Sequence, residues 1–113
     1  AAPFQTSLLV QCSLVSNNAD AFVTINGGYK TFATDGPKPV LAEAGLAGGA
    51  YDRFGDEHGK IELPPGAEKP QLGDAISLIT PHCDPTVNLH DYLHCVRGDR
   101  LVDIWPIDAR GVL

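Results

Sequence analysis

The chain has 113 residues with 43% hydrophobic and 19% charged side chains, a globular balance that excludes a disordered tail. It is one domain's worth of protein, since halves of that length would bury too little core to be stable. The net charge of -6, with eight basic residues scattered along the sequence, excludes a nucleic-acid or anionic-membrane surface.

No apolar run approaches the ~20 residues that span a bilayer, and Ala1 to Val15 lacks the basic start of a signal peptide. Cys12, Cys83 and Cys95 are odd in number and show no C-x-x-C spacing, which predicts reduced thiols and a cytoplasmic location. The sequence has no methionine, so either a start residue was removed or this is a piece of a longer polypeptide.

In chain order, Thr6 to Val15 is Leu/Val-rich and partly alternating, which predicts a long or bulged strand. Asn17-Asn18 offers turn chemistry, Asn tolerating the left-handed region. Ala21 to Ile25 predicts a second strand, and Tyr29 to Ala33 a third, stopped by Asp35-Gly36-Pro37. Val40 to Asp56 carries four glycines and reads as irregular, with one helical turn in LAEAGLA. Lys60 to Leu63 and Ala75 to Thr80 are further strands, and Pro85 to Tyr92 holds a short helix or turn. Leu93 to Val96 and Leu101 to Trp105 flank Gly98-Asp99, a hairpin signal. The expectation is an all-β domain: a small barrel or sandwich of about seven short strands, with at most one or two helical turns.

The densest chemistry lies in PHCDPTVNLHD, Pro81 to Asp91. On an extended backbone, residues two apart project to the same side, so His82 and Asp84 would point together at one ion while Cys83 faces away. Imidazole plus carboxylate suits Mn²⁺, Mg²⁺ or Zn²⁺, the carboxylate favouring the harder metals. Two protein ligands leave positions open for water or substrate, as a catalytic metal requires. Read from the residues alone, a hydrogen-bonded His and a turn Asp before Pro85 explain the pattern better than a metal site does.

Three ordered segments carry a resemblance. LGDAISLITPHCDPTVNLHDYLHCVRGDRLVDIWPIDARG (Leu72 to Gly111), INGGYKTFATDGPKP with its G-x-K-x-x-x-x-D spacing, and DEHGKIEL resemble the C-terminal β-domain of the D-threonine aldolase and D-serine dehydratase family. The resemblance implies a larger enzyme with a fold similar to alanine racemase. In it an N-terminal barrel of the same polypeptide holds pyridoxal phosphate (PLP) on a lysine, and homodimers form. It also implies that His82 and Asp84 are metal ligands, with Mn²⁺ or Mg²⁺ favoured over Zn²⁺. The metal would act on the 3-hydroxyl of a D-3-hydroxy amino acid. Asp at the second ligand position leans toward the aldolase branch, where the dehydratase branch presents Cys.

The barrel is absent here, and none of Lys30, Lys38, Lys60 and Lys69 sits in a Schiff-base context. No catalytic or PLP-binding residue is therefore assigned to these 113 residues, which should be inactive alone. The alternatives are a domain of a D-serine or D-3-hydroxyaspartate dehydratase, or a non-catalytic metal-binding or dimerisation module.

Other candidates have simpler readings. His58 is a site residue or a turn His. His90 and Asp91 either orient the metal ligands or serve as a cap and surface pair. His94 is strand packing, and Arg97-Gly98-Asp99 is a hairpin tip rather than an adhesion signal. Trp105 belongs to a core or a domain interface. Cys83 has no base to activate it, and Cys12 and Cys95 are small buried hydrophobes.

Overall fold

A computed structural model describes residues 4–111. Its strands are β1 (Leu9–Ser16), β2 (Phe22–Ile25), β3 (Val40–Leu41), β4 (Ala50–Arg53), β5 (Gly59–Glu62), β6 (Ala75–Ile79), β7 (Tyr92–Arg97) and β8 (Arg100–Pro106). A 3₁₀ turn covers Ala44–Leu46, and one short helix, α1, covers Cys83–Val87. The all-β expectation holds.

Period-two patterning decides which faces are inside. Cys12 and Leu14 of β1 point inward while Gln11, Ser13 and Val15 stay exposed. Val23 and Ile25, Ile61, and Ile76 and Leu78 repeat the pattern on β2, β5 and β6. The sheet runs β3-β6-β1-β2-β5-β4, with every neighbour antiparallel. Its two edge strands, β3 and β4, come into contact, so it curls into a nearly closed barrel that hides its edges. The bulge foreseen in β1 lies between Leu14 and Ser16, where the register against β2 shifts.

Two strand readings are corrected. Tyr29 to Ala33 is not a strand. Tyr29, Lys30 and Thr31 send their N–H groups to the carbonyls of Gly55, Asp56 and Gly28, which folds this segment into a turn. The apolar residue that mimicked a strand is Phe32, which plugs the barrel with its ring 5.3 Å from that of Tyr51, edge to face. Second, Val40 to Asp56 is not wholly irregular. It holds β3 and β4, and β4 delivers Tyr51 to the core, its hydroxyl donating to the Gly27 carbonyl at 2.8 Å. The helical turn expected in LAEAGLA is present as the 3₁₀ turn.

The Asn17-Asn18 link also turns differently. No non-glycine residue among those described has positive φ. The bend is held instead by the Lys69 ammonium, which donates to the Asn17 and Ala19 carbonyls at 3.1 and 2.7 Å.

β7 and β8 form a separate hairpin, closed by Gly98 at φ +64° as the expected tip. Tyr92, Val96, Leu101, Val102, Ile104 and Trp105 are all exposed on it. Trp105 is thus not core. It is 56% exposed, and its indole N–H finds Asp103 at 3.0 Å. Cys95 is half-buried rather than buried, and all three cysteines are free.

Burial pushes the Cys12 thiol from 9.0 up to about 11 and the Tyr51 phenol from 10.0 up to about 12. Both groups fold in their neutral form, so their raised values stabilise the fold fully below the unfolded pKa. That contribution is lost as pH rises through roughly 9 to 12. Stability measured by urea unfolding should therefore fall across this alkaline window, and the fall should be shallower in Tyr51→Phe. An equal slope in the two proteins would contradict this.

Candidate metal centre

The three motif segments, far apart in sequence, meet at one end of the barrel. The Gly28–Asp35 loop lies against the turn between β4 and β5 through the backbone bonds of Tyr29 and Lys30 to Gly55 and Asp56. That approach is so close that a Cβ on Gly28 would be driven into the backbone of Gly55 and His58. The same loop is tied to the segment after β6 by the Thr86 hydroxyl.

Thr86 is 1% exposed and sits on α1. Its Oγ1 accepts the Ala33 N–H at 2.9 Å, donates to the His82 carbonyl at 2.8 Å and lies 2.7 Å from Thr80 Oγ1. With its single proton on the His82 carbonyl, the Thr80 hydroxyl is the donor in the third bond, and the buried hydroxyl is fully used. His90 adds a second tie between the same two segments, its Nε2 lying 2.9 Å from the Thr31 carbonyl oxygen. Arg53 adds a third contact, its guanidinium donating to the Ala33 carbonyl and lying 5.5 Å from the centre of the Tyr29 ring. The Arg53 Nε is buried without a hydrogen-bond partner.

His82 is the N-cap of α1, with extended φ and ψ of -120° and 107°. Its ring Nδ1 is 2.6 Å from Asp35 Oδ2 at the far end of the Gly28–Asp35 loop. Both side chains are about half exposed (49% and 61%), so water competes for this hydrogen bond and its net contribution to stability is small.

The geometric premise for Asp84 is corrected. Extended backbone ends at His82, and Asp84 lies in the first turn of α1. The His82–Asp84 relation is therefore set by a helix start rather than by strand alternation. Pro85 fits this first turn because N–H groups there have no intrahelical partner. Both residues are exposed, two positions apart at that helix start. Among the described residues, no three His, Cys, Asp or Glu side chains gather closely enough to hold a metal ion. A metal here would thus take two protein ligands and fill its remaining positions from elsewhere, as an open catalytic site does. The Cys83 thiol donates to Asp84 Oδ1 at 3.1 Å, and that carboxylate raises the thiol's pKa, so Cys83 is no activated nucleophile.

The remaining candidates fall elsewhere. His90 contacts the Gly28–Asp35 loop rather than His82, and Asp91 pairs with Arg110 at 3.1 Å. His58 is exposed in the β4–β5 turn, its carbonyl accepting the Phe54 N–H. His94 is an exposed residue of β7, opposite Ile104. Thr86 and Arg53 were not foreseen, because a lone Thr and a lone Arg carry no motif. Lys30, Lys38 and Lys60 are ion-paired with Glu57, Asp52 and Glu62, and Lys69 is spent on backbone carbonyls. None of the four is a free, desolvated amine, so the lysines of this chain do not fit PLP.

The family described as "Putative serine dehydratase domain" matches residues 7–96. The chain belongs to that family. It is 42% identical over 109 residues to a D-threonine aldolase of Arthrobacter sp, covering 96% of this chain and 28% of the relative. It is 31% identical over 108 residues to a 3-hydroxy-D-aspartate aldolase of Paracoccus denitrificans, covering 96% and 27%. The crystal structure of D-threonine aldolase from Filomicrobium marinum superimposes with a TM-score of 0.88 at 31% identity, over 97% of this chain and 30% of that one. This serine dehydratase-type domain thus spans under a third of the length of these relatives.

Thr86→Val keeps the volume but strands the buried Ala33 N–H, while the His82 carbonyl keeps Thr80 Oγ1 at 3.5 Å. Leaving such a buried group unpaired costs about 1–3 kcal/mol, and urea unfolding should show a loss of that size. Stability equal to the parent chain would show that the hydroxyl does not hold the two segments together.

Proposed function

We propose that this chain is the β-domain of a PLP- and divalent-metal-dependent lyase of the D-threonine aldolase type, acting on D-3-hydroxy amino acids, with His82 and Asp84 as metal ligands. The observation that carries this reading is an imidazole and a carboxylate, both exposed, at the helix start where the three family motifs meet. Similarity to two aldolases over 96% of the chain supports the aldolase branch.

The donor set fits a hard or borderline ion, Mn²⁺ or Mg²⁺ before Zn²⁺, since one ligand is a carboxylate and none is a thiolate. When bound, such an ion supplies Lewis acidity toward a substrate hydroxyl. His82 and Asp84 hold and orient it, while Thr86 and the Gly28–Asp35 loop keep His82 in place. PLP belongs to an N-terminal barrel of a longer cytoplasmic polypeptide, so the 113 residues alone are inactive.

The β7–β8 hairpin supports the partner half of this proposal. A two-stranded hairpin is marginal by itself, and this one exposes a row of large apolar side chains that a barrel domain or the second subunit of a homodimer would cover.

Calorimetry tests the ligand assignment. The chain should bind Mn²⁺, His82→Ala and Asp84→Ala should each abolish binding, and Cys83→Ala should leave it unchanged. Binding that survives both ligand substitutions would refute it. The branch is tested by replacing the matching segment of the Arthrobacter relative with this chain and adding D-threonine. Glycine and acetaldehyde are expected. A 2-oxo acid with ammonia would place the chain in the dehydratase branch, which the family's description favours.

A further inference from the structure

We infer that Asp35 is a positioning residue for the metal centre: its carboxylate fixes the proton of His82 on Nδ1 and thereby presents Nε2 as the ligating nitrogen. The inference deepens the metal reading above and rests on it.

The chemistry follows from what each group offers. A neutral imidazole has one N–H donor and one lone-pair nitrogen, and only the second can bind a metal. An ionised carboxylate only accepts. The 2.6 Å contact between His82 Nδ1 and Asp35 Oδ2 therefore requires the proton on Nδ1 and leaves the Nε2 lone pair free. An unconstrained histidine in water prefers the opposite tautomer. Asp35 thus reverses the default and sets the ring's direction at the same time, as carboxylate partners of metal-bound histidines do.

Asp35 is held for this task more firmly than its exposure implies. Two residues before it, the Ala33 N–H is bound by Thr86 and the Ala33 carbonyl by Arg53. The residue before that, Phe32, is fully buried in the barrel. Thr86 binds the His82 carbonyl as well, so one hydroxyl fixes both backbone segments whose side chains form the pair. A direct ligand role for Asp35 is disfavoured, because no three metal-binding side chains gather among the described residues and this carboxylate is already spent on Nδ1.

The test has two readouts. The first needs no metal: ¹⁵N-resolved NMR of the histidine rings in the full chain at alkaline pH. His82 should show a protonated Nδ1 and a bare Nε2, and Asp35→Ala should shift it toward the Nε2–H form. The second is Mn²⁺ calorimetry on Asp35→Ala, Asp35→Asn and a Lys38→Ala control. The Ala variant should lose about ten- to a hundredfold in affinity. The Asn variant should retain most of it, because an amide oxygen still accepts from Nδ1–H, and the control should match the parent chain.

An Nε2–H tautomer in the parent chain overturns the inference, as does unchanged affinity in Asp35→Ala. Equal losses in the Ala and Asn variants overturn it too, making Asp35 a ligand. A parent chain with the pinned tautomer but no Mn²⁺ binding removes the metal reading instead and leaves the pair purely structural.

Discussion

The Thr86 hydroxyl accepts the Ala33 N–H and donates to the His82 carbonyl, and the geometry of the candidate centre depends on those two bonds. They give the Gly28–Asp35 loop and the β6–α1 connection a common buried reference, to which the His90–Thr31 contact adds a second tie. Burial makes the device effective. At 1% exposure no water competes for the hydroxyl, so losing it leaves the buried Ala33 N–H without a partner. The exposed His82–Asp35 pair is weak in itself and takes its position from the buried bonds beneath it.

The barrel and the hairpin divide the domain's work. The curled six-stranded sheet supplies a closed core, capped by Phe32 and Tyr51, and its end carries the motif segments. The hairpin contributes little to that core, and its large apolar residues face outward. The domain thus puts its stability in one part and its uncovered surface in another, and it spans under a third of the length of the aldolase relatives it matches.

Much of this was legible in the sequence, for stated reasons. Partial alternation found β1, and short apolar runs bounded by turn residues found β2, β5 and β6. Gly98 found the hairpin because its turn needs positive φ. Phe32 misled, since an apolar residue between polar ones looks alike in a strand and in a turn that drops one side chain into a barrel. Two-residue β3 and glycine-flanked β4 were hidden because their pairing is long-range. At the site, PHCDP marked His82 and Asp84, but a helix start had been read as extended chain. Pro85 obscured it, being a turn signal that a helix's first turn also tolerates. Asp35 stood inside a quoted motif without a role, and Thr86 had no signal at all. Both act through partners 47 and 53 residues away, which no local pattern encodes.

The central claim is that this end of the barrel holds a divalent ion between His82 and Asp84. Anomalous diffraction at the manganese edge, from crystals of the chain soaked in Mn²⁺, tests it most directly. The account predicts one strong peak within coordination distance of His82 Nε2 and the Asp84 carboxylate, with Asp35 still on Nδ1. A peak at other side chains, or an empty site at a Mn²⁺ concentration that saturates the calorimetric signal, would contradict it.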